Sequence, residues 1–392
     1  MRQSRKKWER RREVHRNKLA AVIFVIMMIA FCVVNLATGD REFSATENRA
    51  LEQRPELTIS GLESGRWMEQ YESYVSDQFA GRDFWVVLKS RVDLLAGKRK
   101  ANGVFKGKDH YLLEDIAKPD EDQLKENLSA MKKFQKQYKD IPMYMMLVPN
   151  AANIESDKLP GYAVTENQEK QFKAIHSTLG SVYTWVDVSD ILKKHRSEEI
   201  YYHTDHHWTT LGAYYGYQAL SKSMKLDTSK TSDMKPYAVT NAFNGTLAST
   251  SGYETGYEEP IYIYAPDNLK NATEAVVNNV NEKKKTATLY DTSKLKGKDK
   301  YALFLGGNYP ILDIKTTADS TDRLLIIKDS YANSLIPFLI PYYREIVVVD
   351  PRYYYDDIEK VMKKDNITSV LFLYNGNTFV KDNSISGVLQ ND

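Results

Sequence analysis

Residues 19–37 are almost uninterruptedly apolar, and beyond residue 60 the apolar positions recur in two rhythms. As a helix, the first run would be roughly 28 Å long, close to the hydrocarbon thickness of a bilayer. Over residues 64–98, Trp67, Tyr71, Tyr74, Val75 and Phe79, then Trp85, Leu88, Val92 and Leu95, recur at helical intervals. This spacing predicts two amphipathic helices broken at Gly81-Arg82-Asp83. Residues 102–113 predict a hairpin turning at Gly107-Lys108-Asp109, and residues 120–139 a helix with Leu124, Leu128, Met131, Phe134 and Tyr138 on one stripe. A solid apolar run between Pro142 and Pro149 predicts a buried strand. A helix over 166–180, a strand over 182–188 and a short helix over 190–194 follow. Residues 209–224 predict a longer helix, N-capped by Thr209 or Thr210.

Residues 225–300 are polar and weakly periodic, and are expected to be an insertion with hairpins; only 261–264 alternate as a strand does. The last hundred residues resume the apolar rhythm. Strands are predicted at 301–305, 323–327, 345–349 and 369–374, with helices at 331–339 and 358–364. Strands separated by single helices imply an α/β fold with parallel pairing and right-handed crossovers. Ligands then bind beyond the carboxyl ends of the strands, where Gly307, Asn308, Ser330, Asp350 and Asn375 would gather.

Charge changes the picture at one end of the chain. Residues 2–18 hold nine Lys/Arg and two acids, a net of +7, so the formal +2 of the whole leaves −5 elsewhere. A nucleic-acid binder would carry its basic surplus on the folded part; no nucleic-acid partner is expected. Basic residues before the apolar run place the N-terminus in the cytoplasm and the rest outside. The run is expected to stay as a membrane anchor, with a cleaved signal peptide as the rival reading. The one cysteine, Cys32, lies inside this run. The remainder therefore has no disulfide, no thiolate metal site and no catalytic cysteine.

Three of the seven histidines fall in His203-Thr204-Asp205-His206-His207-Trp208. An Asp205-x-His207 spacing in an extended loop puts both side chains on one side, so the carboxylate can orient the imidazole. Ser330 sits where the strand at 323–327 is expected to become a helix, which lifts its hydroxyl and aims N–H groups at a developing oxyanion. Together they suggest acyl transfer by a serine activated through a histidine base. Alternatives stand beside this. Ser330 could be only a helix cap, His206 a structural imidazole, and His203, Asp205 and His207 could hold zinc.

The tetrapeptide Asp205-His206-His207-Trp208 resembles the signature of the bacterial DHHW proteins, which are similar to the SGNH-hydrolase-like proteins of alginate O-acetylation and to Gram-positive wall-polysaccharide O-acetyltransferases. The resemblance spans roughly residues 42–392. It includes Glu47-Asn48-Arg49, the 77–83 stretch Asp-Gln-Phe-Ala-Gly-Arg-Asp, Gly107-Lys108-Asp109, Gly306-Gly307-Asn308 and Asp329-Ser330-Tyr331. It implies an SGNH-like, mostly parallel sheet flanked by helices, with the order Asp205 (orienter), His207 (base), Ser330 (nucleophile). Gly307 and Asn308 are expected near the oxyanion, with Tyr331 and Trp208 lining the substrate site. Lys328 departs from the glycine usual in the Gly-Asp-Ser motif. The implied reaction moves acetyl from a membrane-bound O-acyltransferase, through Ser330, to a cell-wall or capsular polysaccharide, with no cofactor and no metal. Rival outcomes are an acetyl esterase with the same residues, a metal-dependent hydrolase and a non-catalytic envelope scaffold. The expected organisation is a cytoplasmic tail 1–18, an anchor 19–37, a stalk and helical membrane-proximal region 38–100 and an extracellular catalytic domain 101–392.

Overall fold

A computed structural model of the chain describes residues 2–44, 49–268 and 272–390. Glu47 and Asn48, expected within a family motif, lie outside the described residues. The chain divides into two compact units, residues 1–89 and 90–392.

In the first unit, α1 (Arg2–Ala37) contains the apolar run, and its stretch from Arg12 to Ala37 is long and apolar enough to cross a membrane. α2 (Arg66–Asp77) follows, and α3 (Arg82–Leu95) starts after the break expected at Gly81, which takes a φ of +67°. Near the end of α1, Phe31 stacks on Phe79 with ring centres 5.3 Å apart, and Asn35 Oδ1 accepts the Ala80 N–H at 2.8 Å.

The second unit is built on an eight-stranded sheet. β1 (Val104–Lys106) and β2 (Leu112–Glu114) form the expected hairpin outside it. Then come α4 (Glu121–Gln137), β3 (Met143–Val148), α5 (Gln168–Leu179), β4 (Thr184–Trp185) and α6 (Thr210–Met224). The hairpin β5 (Met234–Phe243) and β6 (Glu259–Pro266) is followed by β7 (Ala275–Asn279), β8 (Lys284–Thr286) and β9 (Ile311–Thr316). β10 (Arg323–Lys328), β11 (Glu345–Val349), α7 (Ile358–Lys364) and β12 (Ser369–Asn375) complete it.

The sheet order is β8-β7-β9-β11-β10-β12-β3-β4. From β11 to β4 every pairing is parallel. The opposite edge is antiparallel, since β9 pairs β11 and carries β7 and β8 beyond it. Side chains alternate across the parallel strands into two apolar layers. Leu324, Ile326, Ile346, Val348, Leu371 and Leu373 face one layer with Ala213, Tyr217 and Leu220 of α6. Leu325, Ile327, Val347, Val349, Val370 and Phe372 face the other, with residues of α4, α5 and α7 such as Phe134, Ile175 and Val361. Burial on both faces explains why these strands are continuous apolar runs.

Three local expectations are corrected. Residues 301–305 are not a strand: Lys300–Leu303 is a 3-10 turn capped by Asp299, and Leu305 takes a φ of +61°. Residues 331–339 are not one helix but two 3-10 stretches, Ser330–Ser334 and Ile336–Leu339. Asp329 caps the first, and Pro337 lacks the N–H that a continuing α-helix would use. Finally, part of the polar 225–300 stretch is not an insertion apart from the sheet, because β7 and β8 extend its edge.

Candidate active site

The parallel strands end along one edge at Asn150, Asp329-Ser330, Asp350 and Asn375. Asp329 is fully buried there; its carboxylate accepts the Tyr331 N–H at 2.9 Å and the Asn375 N–H at 2.9 Å. These bonds fix the turn in which β10 becomes the 3-10 stretch and lift Ser330 to the surface of the edge. The Ser330 N–H donates to no protein group among the described residues.

Opposite it stands the histidine loop, which enters α6 through the expected Thr209 cap. An antiparallel bridge between Tyr201 and Trp208 closes this loop. The indole N–H of Trp208 donates to the Tyr331 carbonyl and the Ser334 hydroxyl, both at 3.0 Å. Gly216 of α6 leaves room for the indole, since a Cβ there would meet the ring at 2.7 Å. The Tyr331 hydroxyl bonds the His206 carbonyl. Trp208 and Tyr331 are thus buried ties between the histidine loop and the Ser330 turn.

Asp205, His207 and Ser330 come together. His207 Nδ1 lies 2.6 Å from Asp205 Oδ1, and His207 Nε2 lies 2.7 Å from Ser330 Oγ. The Asp205 carboxylate is buried and accepts four donors: the His207 N–H and ring at Oδ1, and the Thr246 N–H (2.8 Å) and hydroxyl (2.9 Å) at Oδ2. Burial alone would raise its pKa. The facing His207 and His206 and the hydrogen bonds outweigh burial and hold it well below the ordinary carboxylate range. An ionised Asp205 keeps a proton on His207 Nδ1, leaving Nε2 to accept from the serine.

Three supporting residues carried no local signal in the sequence. Tyr301 stacks on His207 with ring centres 3.7 Å apart and planes 10° apart, and its hydroxyl donates to Ser334 Oγ at 3.1 Å. Glu259 of β6 accepts the His203 N–H (2.8 Å), the Thr204 N–H (2.9 Å) and the Thr204 hydroxyl (2.6 Å), clamping the loop from the hairpin side. Thr246 reaches Asp205 because Gly245 precedes it; a Cβ on Gly245 would meet Asp205 Oδ2 at 2.5 Å.

His203 turns away from Ser330. Its ring lies between Tyr111 (3.8 Å) and Tyr257 (4.7 Å), and Nε2 pairs with Glu199 at 2.6 Å. Ligand atoms of Asp205, His206 and His207 lie within 4.8 Å of one another, the spacing of a metal cluster. The hydrogen bonds to both Asp205 oxygens, His207 Nδ1 and His206 Nδ1 already occupy most of that donor set.

Of the expected oxyanion neighbours, Gly307 takes a φ of +120° and its N–H already donates to the Phe304 carbonyl at 3.3 Å. Asn308 is exposed, and its side-chain oxygen accepts from Lys328 Nζ (2.7 Å) and Asn333 Nδ2 (3.1 Å). The amide N–H₂ bonds no protein group among the described residues. Lys328, the departure from glycine, is fully buried and also faces Asp350 at 3.4 Å, which Arg352 grips through two bonds.

Solved structures of a DHHW family protein and of PatB1 share this architecture. A crystal structure of a DHHW family protein from Eubacterium siraeum superposes with a TM-score of 0.60 at 24% identity, covering 75% of this chain and 96% of that one. Bacillus cereus PatB1 with a sulfonyl adduct gives 0.60 at 21% identity, covering 73% and 97%. The O-acetyltransferase domain of Pseudomonas putida AlgJ gives 0.47 at 14%, covering 72% and 94%. No curated protein sequence matches the chain. The DHHW protein profile matches residues 124–349, more than half of the sequence and the span from α4 through the histidine loop and Ser330 to β11, so the chain belongs to the DHHW family.

Proposed function

We propose that this chain is an O-acetyltransferase that carries an acetyl group on Ser330 and passes it to a hydroxyl of a cell-wall or capsular polysaccharide. The hydrogen-bonded line from Asp205 through His207 to Ser330 carries this reading. In the first half-reaction Ser330 Oγ attacks the acetyl carbonyl carbon while its proton passes to His207 Nε2. The bond to the donor's leaving oxygen then breaks, and that oxygen takes the proton back from His207. In the second half, an acceptor hydroxyl gives its proton to His207 and attacks the acyl-serine carbonyl. Ser330 leaves and regains its proton from His207. Asp205 holds the imidazole in one tautomer and offsets its charge. The free Ser330 N–H and the Asn308 amide supply the donors toward the oxyanion.

The donor in this scheme is a membrane-bound O-acyltransferase, and α1 anchors the chain beside it with the catalytic unit outside the cell. Hydrolysis uses the same residues, and exclusion of water separates the two outcomes. The test is to incubate the protein with p-nitrophenyl acetate and a wall-polysaccharide fragment. Acetylated fragment exceeding free acetate is the expected result. Acetate alone would make the protein an esterase, and no ester cleavage would remove the acyl-serine chemistry.

A further inference from the structure

The first imidazole of the His206-His207 pair has no part in the steps above, yet its surroundings fix its protonation. His206 Nδ1 lies 2.8 Å from Thr246 Oγ1, and the same hydroxyl lies 2.9 Å from Asp205 Oδ2. Thr246 has one hydroxyl proton to give. An ionised carboxylate is a stronger acceptor than a neutral imidazole, so the proton goes to Asp205 and the oxygen accepts from His206. His206 therefore carries its hydrogen on Nδ1 and a lone pair on Nε2. Partial desolvation by its neighbours, with the adjacent His207, lowers its pKa and favours this neutral form, against the opposing pull of Asp205, Glu114 and Asp329.

Among the described residues no protein group bonds His206 Nε2, and the side chain is about one-third exposed, so the lone pair opens to solvent. The two imidazoles are neighbours, with ring centres 4.0 Å apart and planes 35° apart. One nitrogen serves the hydroxyl being acylated. The second imidazole is its immediate neighbour, and a molecule whose hydroxyl meets His207 brings its adjoining carbon into the space beside His206. The residue is tied at two points, its carbonyl by Tyr331 and its side chain by Thr246.

We infer that His206 Nε2 forms a subsite for a second hydroxyl on the carbon next to the acylated one, so that the protein selects 1,2-diols over isolated alcohols. This rests on the acyl-transfer reading. The acylated hydroxyl gives its proton to His207. The second hydroxyl keeps its proton and donates a hydrogen bond to His206, so no bond is made or broken there. An acceptor lacking that donor leaves the lone pair unanswered once water is displaced.

The test uses the full chain, p-nitrophenyl acetate and an equimolar mixture of ethylene glycol and 2-methoxyethanol. The second alcohol keeps the neighbouring oxygen but not its proton. The readout is the ratio of the two acetate esters per reacting hydroxyl, which does not depend on the fraction of active protein. The wild type is expected to favour the diol about fivefold, the weight of one hydrogen bond. His206→Asn keeps an N–H near the Nδ1 position for Thr246 but has no Nε2, and its ratio should fall to about one. His206→Gln brings a carbonyl toward the Nε2 position and should restore part of the preference. A wild-type ratio near one, or a preference that survives in His206→Asn, would overturn the subsite. Absence of both esters with the wild type would instead remove the transferase reading, and the subsite with it.

Discussion

Asp205 and Glu155 are both buried carboxyls, and their surroundings push them in opposite directions. Asp205 meets four donors and two imidazoles, and stays ionised. Glu155 is 1% exposed with Oε1 unpartnered; burial, with Asp157 nearby, raises it to about 7 against the pull of Lys158 and Arg196. A raised carboxyl stabilises the fold fully below its unfolded value of about 4.3. That contribution is lost as pH rises to about 7. Asp205 is depressed, so its contribution is lost only as pH falls below about 4, and it adds no slope in the same window. Glu155→Gln should therefore lose less stability between pH 4.5 and pH 8 than the wild type, by about 1–2 kcal/mol after screening by the nearby cations. Urea unfolding at the two pH values measures this, and equal losses in both proteins would refute it. At this scale the sequence was legible where chemistry is local. Asp205 and His207 share a loop, and Ser330 marks a strand end. Thr246 and Glu259 act from 41 and 55 residues away, and no spacing rule links them to the histidines.

Between elements, the contact that matters is the start of the short helix Thr246–Ser251 against the histidine loop. Gly245 permits it. Its φ of −88° is open to any residue, so the demand is one of space, not of backbone conformation. Gly245→Ala should push Thr246 away from Asp205 and lower kcat/KM for acetyl transfer by about 10²-fold, the cost of an ångström of misplacement. Gly161→Ala, where a Cβ meets nothing within 4 Å, is the matched control. Wild-type activity in Gly245→Ala would show that the Thr246 bonds do not position Asp205. The strand expected at 301–305 failed at this scale because apolar Tyr301, Leu303 and Phe304 fill the space under the hairpin as a turn. That turn puts Tyr301 flat against His207, which an extended strand reading could not anticipate.

Across the whole molecule, the parallel half of the sheet was readable because both of its faces are covered, which leaves solid apolar runs flanked by helices. The antiparallel edge was not. β7 and β8 spell Ala-Val-Val-Asn-Asn and Lys-Lys-Thr, and only alternate residues of β7 are buried. Such polar edge strands look like loop until a partner strand is known. That the chain holds one stretch long and apolar enough to cross a membrane was legible from length and hydropathy alone. At this scale the proposed function needs the strand-end serine and the loop histidine to act as a single reacting unit. Labelling with a fluorophosphonate, followed by peptide mass analysis, tests it most directly. One adduct per chain is expected, on Ser330, absent in Ser330→Ala and much slower in His207→Ala. An unlabelled wild type, or labelling undiminished in Ser330→Ala, would contradict it.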